Sequence, residues 1–273
     1  MSEFTGYDPQ LENRDEIRST SVQVHFTFAD YQAPDEIDFR KLIRHDDQSD
    51  MGSCGGFGNT NCGEGLYALV HGEMSDEGQF APTFSYLEAQ RLDGLLGVDK
   101  GSTISSGLKI SKEIGYLPLK HLPYATPYPR NARTLITDEM RKLASPFKVR
   151  SSTWLDSYDA IKNYQASGVG LCFAGTAWNQ SFYGQNGVVE SVGFTNRDGG
   201  HAYCFAGYST RKDRSGRNYL WRLNSHRQDS WTEIAPSVID ALCRHEYTSI
   251  VGVSDLSTPG PREIKWKQAR PLE

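Results

Sequence analysis

Hydrophobic and polar positions follow two different rhythms along this chain. In the first half the spacing is helical. Phe57, Leu66, Leu69 and Val70 mark a buried helix over Phe57–Val70, although Gly58, Gly63 and Gly65 each cost about 1 kcal/mol relative to alanine. Pro82-Thr83 opens an amphipathic helix over Phe84–Leu95, with Phe84, Leu87 and Arg91 spaced along it. Ser102–Ile114 is another, stopped by Gly115. Pro118, Pro123, Pro127 and Pro129 then keep 117–130 extended. Past that stretch the rhythm becomes that of strands. After a short helix over Asp156–Tyr164 come Val169–Ala174, Gly187–Phe194, His201–Tyr208, Tyr219–Leu223 and Ser249–Val253, divided by turn-rich segments. Trp231–Arg244 is expected to be helical, and Ser21–Phe28 alternates as a strand near the N-terminus. A helical first half and a β-rich second half define an α+β chain. The expected organisation is an N-terminal extension over 1–33, a helical lobe over 34–135, a β-rich lobe over 136–258 and a tail over 259–273.

Composition narrows the setting. At 273 residues and 37% hydrophobic content the chain can bury a large core. A net charge of −5 gives no basic footprint for nucleic acid or an anionic membrane, so neither is expected as a partner. No apolar run approaches the roughly 20 residues of a membrane span. The first residues, MSEFTGYDPQLENRDE, lack the apolar core of a secretory signal, which points to a cytoplasmic or virion-associated protein. Five cysteines, an odd number without a C-x-x-C, suit reduced thiols and not a disulfide framework.

One stretch carries chemistry. Gln48 to Phe57, Q-S-D-M-G-S-C-G-G-F, sets the Cys54 thiol six residues after an amide and at the start of a helix. Unpaired N–H groups and the positive end of a helix dipole favour a thiolate there, and the Gln48 amide can donate to a developing oxyanion. A thiol nucleophile needs a base, and the base an orienting partner. His201 opens an apolar strand after Gly199-Gly200, and the next strand ends in Asn224-Ser225, whose amide can fix the imidazole tautomer. A lone cysteine is more often a small buried hydrophobe, which is the reading for Cys62, Cys172, Cys204 and Cys243. Cys54, Cys62 and His71 lack the short paired spacing of a zinc site, so no metal is expected. The glycines around Cys54 lack the G-K-[ST] of a phosphate loop. Gly52-Ser53-Cys54-Gly55-Gly56 also fits a nucleophile elbow, but that fold wants its acid before its histidine, on a parallel sheet.

These residues resemble the papain-like cysteine peptidases. Met51-Gly52-Ser53-Cys54-Gly55 is similar to the family's Cys-Gly-Ser-Cys-Trp at three of five positions. Gln48 stands where the family's oxyanion-hole glutamine stands. Ile37-Asp38-Phe39-Arg40, Phe84-Ser85-Tyr86-Leu87, Asp99-Lys100-Gly101-Ser102 and Leu122-Pro123-Tyr124 resemble further segments, Gly200-His201-Ala202 the histidine strand, and Leu223-Asn224-Ser225 the asparagine segment. His201 follows Cys54 by 147 residues, and a polar insertion at 209–218 accounts for the longer reach to Asn224. Met51 replaces a cysteine that is disulfide-bonded in secreted members, Gly55 and His226 replace tryptophans, and Trp231 is the expected substitute indole. No inhibitory pro-segment is recognisable upstream of the nucleophile. The resemblance implies two lobes, one helical and one β-barrel-like, with the cleft between them. It implies a cysteine endopeptidase acting on a peptide or protein substrate without a cofactor. Cys54, His201, Asn224 and Gln48 would be catalytic, and Gly55, Gly101 and Gly200 would line the substrate. Two other functions stay open on the sequence: a cell-wall peptide or isopeptide hydrolase using the same site, and an inactive papain-like module serving as an assembly component.

Overall fold

The computed structural model describes residues 6–21, 33–195, 199–226 and 231–259. Its helices in chain order are α1 (Arg14–Thr20), α2 (Cys54–His71), α3 (Pro82–Asp93), α4 (Ile104–Glu113), α5 (Ala132–Leu135), α6 (Asp138–Ala144), α7 (Tyr158–Ala166) and α8 (Pro236–Arg244). Its strands are β1 (Ile37–Asp38), β2 (Val149–Trp154), β3 (Gly170–Trp178), β4 (Val188–Val189), β5 (Gly199–Lys212), β6 (Asn218–Leu223), β7 (Trp231–Ile234) and β8 (Ser249–Leu256). Among the described residues no helix is long and apolar enough to cross a membrane.

Helix α2 explains its own glycines. Every residue from Cys54 to Ala68 is buried, so neighbours press on it from all sides. A Cβ at Gly58 would stand 3.0 Å from the Tyr203 nitrogen on β5, and one at Gly63 2.7 Å from the Tyr116 ring. The helix propensity lost at these positions is offset by backbone-close packing that no other residue permits. Local signals set the other helices. Pro82 occupies the first turn of α3, Thr103 accepts from the Ser106 N–H at the start of α4, and Ser157 accepts from the Ala160 N–H at α7.

The strands form one mixed sheet in the order β2-β8-β3-β5-β6-β7-β4, with β1 joined to β5, and among the described residues it does not close on itself. Among the pairings of the described strands, only β4–β7 is parallel. Strand β3 is buried at every position, and its side chains alternate between two cores. Leu171 and Phe173 pack with Cys62, Leu66 and Leu108 from the helical lobe, while Cys172 and Ala174 pack with Ile161, Tyr164 and Ile239 from α7 and α8. The sheet is thus a shared wall, and its first core is the seam between the lobes.

Three expectations change. Trp231–Arg244 is not one helix: Trp231–Ile234 is strand β7, and Pro236, which has no N–H to donate, sits in the first turn of α8. Gly187–Phe194 shortens to Val188–Val189, because Gly187 has φ 75° and turns the chain. The polar stretch 209–218 is the end of the β5–β6 hairpin, its turn held by Ser215 and Arg217 N–H groups donating to Asp213. The strand expected over Ser21–Phe28 lies almost entirely outside the described residues.

Candidate active site

Cys54 is the first residue of α2, and β5 crosses in front of it. The Ala202 N–H donates to Cys54 Sγ at 3.2 Å. The preceding residue on that strand is His201, whose Nε2 lies 2.7 Å from Asn224 Oδ1. An amide oxygen only accepts, so Nε2 carries the proton and Nδ1 keeps its lone pair. The antiparallel register that sets Cys204 against Leu223 returns the chain beside His201 just past the end of β6, where Asn224 stands. Trp178, at the end of β3, covers the imidazole with ring centroids 4.4 Å apart, and His226 packs at 4.5 Å. The indole over His201 is therefore Trp178, not the expected Trp231, which is only partly buried and packs against the core at the lobe seam.

Gln48 links the two lobes. Its backbone N–H donates to the Ser225 carbonyl at 2.8 Å, its Oε1 accepts from the Ser225 hydroxyl, and its Nε2 donates to the Met51 carbonyl at 2.8 Å. A primary amide has two N–H groups, and among the described residues only one of those on Nε2 is given a partner. Gly101 adopts φ 84°, and its backbone groups are used inside the helical lobe, by the Tyr86 hydroxyl and by Gln90 Nε2. The next residue, Ser102, presents N–H and C=O to the cleft. Gly55 leaves room for it, since a Cβ there would lie 2.5 Å from Ser102 Oγ.

The cleft is occupied by the chain itself. Ser102 N–H donates to the Gly6 carbonyl at 3.3 Å, Asp8 N–H to the Ser102 carbonyl at 3.2 Å, and Tyr7 N–H to the Gly200 carbonyl at 3.4 Å. Tyr7 runs parallel to Ser102. A Cβ at Gly6 would stand 2.4 Å from Cys54 Sγ, so glycine backbone lies directly over the thiol. Tyr7 is fully buried, and its hydroxyl donates to the Tyr247 carbonyl at 3.2 Å. Farther along, both Glu12 carboxylate oxygens accept at the start of α4, from Ile104 N–H at 2.8 Å and Ser105 N–H at 2.9 Å. A segment that covers Cys54 is therefore present, where no such segment was recognisable in the sequence. Its sequence hid it, because it is polar, without periodicity, and held by backbone pairing with one aromatic anchor.

Burial, to which the strap contributes by covering Cys54, disfavours charge at the site. It pushes the Cys54 thiol up to about 12, against the pull of the Ala202, Gly55 and Cys54 N–H groups. Desolvation also drives His201 well below its ordinary value, reinforced by the charges of His226 and Arg222 and opposed by Asn224. The thiol and the imidazole are both neutral near pH 7 while the strap is docked, so the favourable helix terminus does not win. Among the described residues no cluster of three or more His, Cys, Asp or Glu side chains converges as metal ligands would.

No model of a known protein family matches the chain, and no curated protein matches it in sequence. Solved structures do. Xylellain, a cysteine protease from Xylella fastidiosa, superposes with a TM-score of 0.72 at 19% identity, covering 92% of this chain and 96% of its own. Procathepsin B S9 from Trypanosoma congolense gives 0.66 at 14% identity, over 92% of this chain and 86% of its own. Bromelain from Ananas comosus gives 0.57 at 15% identity, over 81% and 99%. The fold is that of the papain-like cysteine peptidases.

Proposed function

We propose that the chain is a cysteine peptidase whose described form is latent. The observation that carries this reading is the His201 Nε2 to Asn224 Oδ1 bond at 2.7 Å, on the same strand whose next N–H touches Cys54 Sγ. Once the strap leaves, water reaches the cleft and the desolvation that keeps Cys54 and His201 neutral is relieved. The thiol proton passes to His201 Nδ1, and the thiolate attacks a peptide carbonyl. The Cys54 N–H and the second Nε2 proton of Gln48 receive the oxyanion. His201 returns its proton to the departing amine, leaving a thioester. It then takes a proton from water, whose hydroxyl attacks the acyl carbon and frees the carboxylic acid and the thiol. Asn224 holds the imidazole in the tautomer that each step needs.

The direct test compares full-length Gly6→Ala with Gly6→Ala/Cys54→Ala on an unfolded protein substrate. Cleavage by the first and not by the second is expected. Equal cleavage by both would overturn the thiol mechanism. No cleavage by either, with Cys54 of Gly6→Ala accessible to alkylation, would favour an inert structural module.

A further inference from the structure

The face of the sheet that carries His201 also carries a buried cation. Side chains on a strand alternate between faces, so Arg222 on β6 lies on the same side as Asn224, two residues farther on. Trp178 at the end of β3 and Tyr203 on β5 share that side, in the core built with α7 and α8. Arg222 is fully buried among these rings. Its Cζ stands 4.6 Å from the Trp178 centroid and 5.5 Å from that of Tyr203. Its Nη2 donates to the Phe182 carbonyl at 2.8 Å, and Phe182 stacks on Trp178 with centroids 5.0 Å apart. The guanidinium therefore grips Trp178 twice, through the indole face and through the turn Gln180–Tyr183 that follows it. Trp178 is the ring that covers His201. Separations of 4.6 Å from guanidinium to indole and 4.4 Å from indole to imidazole put the cation within about 9 Å of His201.

A guanidinium keeps its proton in proteins, so this charge is permanent. Among the described residues, the other titratable groups around His201 and Arg222 are His226, Cys54, Tyr203, Cys243 and Asp47. His226 packs on His201 at 4.5 Å, its Nδ1 2.8 Å from the Tyr183 hydroxyl, and it is depressed to about 4, chiefly by burial and then by Arg222. Burial pushes Cys54, Tyr203 and Cys243 up to about 12. All four are neutral near pH 7, and Asp47 acts on His226 in the opposite sense to Arg222. His201 itself is lowered by burial first, then by His226 and Arg222, against the Asn224 bond.

We infer that Arg222 is a positioning residue for the reaction: its guanidinium clamps Trp178 over the His201–Asn224 bond and sets a fixed positive charge behind the imidazole, moving the working range of the site to lower pH. This rests on the peptidase reading for turnover and not for the titration of His201. A cation disfavours the imidazolium and favours the thiolate, so both limbs of a pH profile move down together. A unit charge about 9 Å away, acting through an effective dielectric constant between about 20 and 80, shifts an imidazole by roughly 0.3–1.4 pH units.

Proton NMR titration of His201 in full-length Gly6→Ala/Cys54→Ala tests the charge without turnover, with the signal assigned by its loss in His201→Gln. Arg222→Met and Arg222→Gln should each raise the His201 midpoint by roughly 0.3–1.4 units. Arg222→Lys keeps the charge and should leave the midpoint near the parent value. No rise in either neutral variant, or an equal rise in Arg222→Lys, would overturn the inference. The clamp is read from the His201 Nε2 proton, whose exchange with water should quicken in Arg222→Met; unchanged exchange would overturn that part. In Gly6→Ala, both limbs of the kcat/KM profile should move up when Arg222→Met is added. A uniform loss at every pH would mark a merely structural role and contradict the inference. A raised His201 midpoint in chains that cleave nothing would keep Arg222 and sink the peptidase reading. If neither neutral variant folds, the parent titration decides: a His201 midpoint below 6.5 is expected, and one at or above that ordinary value overturns the inference.

Discussion

Gly6→Ala is the smallest change that should unmask Cys54. The new methyl carbon would sit 2.4 Å from Sγ, 3.2 Å from the Gly52 carbonyl oxygen and 3.3 Å from Cys54 Cβ. Carbon–sulfur contacts that close do not occur in packed proteins, so the strap must move. Overpacking of this kind costs roughly 1–3 kcal/mol, which raises the undocked fraction about 5- to 150-fold until the undocked form predominates. While docked, a thiol pushed up to about 12 is ionised to roughly one part in ten thousand at pH 8 and has no path for a reagent. Alkylation therefore reports undocking. The assay treats full-length chains with iodoacetamide at pH 8 and follows the Cys54 peptide by mass spectrometry, with the less buried Cys243 as internal reference. Cys54 alkylation should accelerate within the range above in Gly6→Ala while Cys243 stays constant. Gly193→Ala, whose Cβ meets nothing within 4 Å, is the control and should change neither. Wild-type reactivity in Gly6→Ala, or equal acceleration in Gly193→Ala, would refute the occlusion.

Three further outcomes follow from the site. In the Gly6→Ala background, Asn224→Ala removes the acceptor that orients the imidazole, and kcat should fall about 10- to 150-fold, the range for a hydrogen bond to a charged group. Ser225→Ala frees Gln48 Oε1, and kcat should drop about 2- to 12-fold with circular dichroism unchanged. His226 is depressed from 6.5 to about 4, chiefly by burial and then by the Arg222 charge, so the unfolded chain binds that proton more readily. The associated stability is complete above pH 6.5 and is lost as pH falls toward 4. At ~1.4 kcal/mol per pKa unit the ceiling is about 3 kcal/mol. Urea midpoints across that window should fall in wild type and fall less in His226→Gln; parallel curves would exclude His226 as the cause.

Which side chains converge near Cys54 was legible in the sequence, and backbone-mediated contacts were not. Gln48, Cys54, His201 and Asn224 are spaced by elements whose patterns are strong: an all-buried helix and strands β3, β5, β6 and β8 of alternating or continuous apolar character. The sheet order brings His201 and Asn224 together and sets the Cys54 thiol against β5, the strand of His201. Strand β2 escaped detection because its buried positions include Ser152 and Thr153, polar residues that a hydrophobic pattern skips. The β7–α8 break was available in Ala235-Pro236, since proline favours the first helical turn. The strap left almost no trace. Its grip comes from N–H and C=O groups of Gly6, Tyr7 and Asp8, and such groups are common to every sequence. Tyr7 and Glu12 are the side chains that anchor it, and one tyrosine and one carboxylate in a polar stretch have no periodicity to read.

The most direct test of the central claim is the intact mass of full-length Gly6→Ala quenched in acid during reaction with a peptide ester. An added mass of the acyl group less one hydrogen is expected, located on Cys54 and absent from Gly6→Ala/Cys54→Ala. Absence of the adduct together with absence of product, or product formed equally by the chain lacking the thiol, would contradict it.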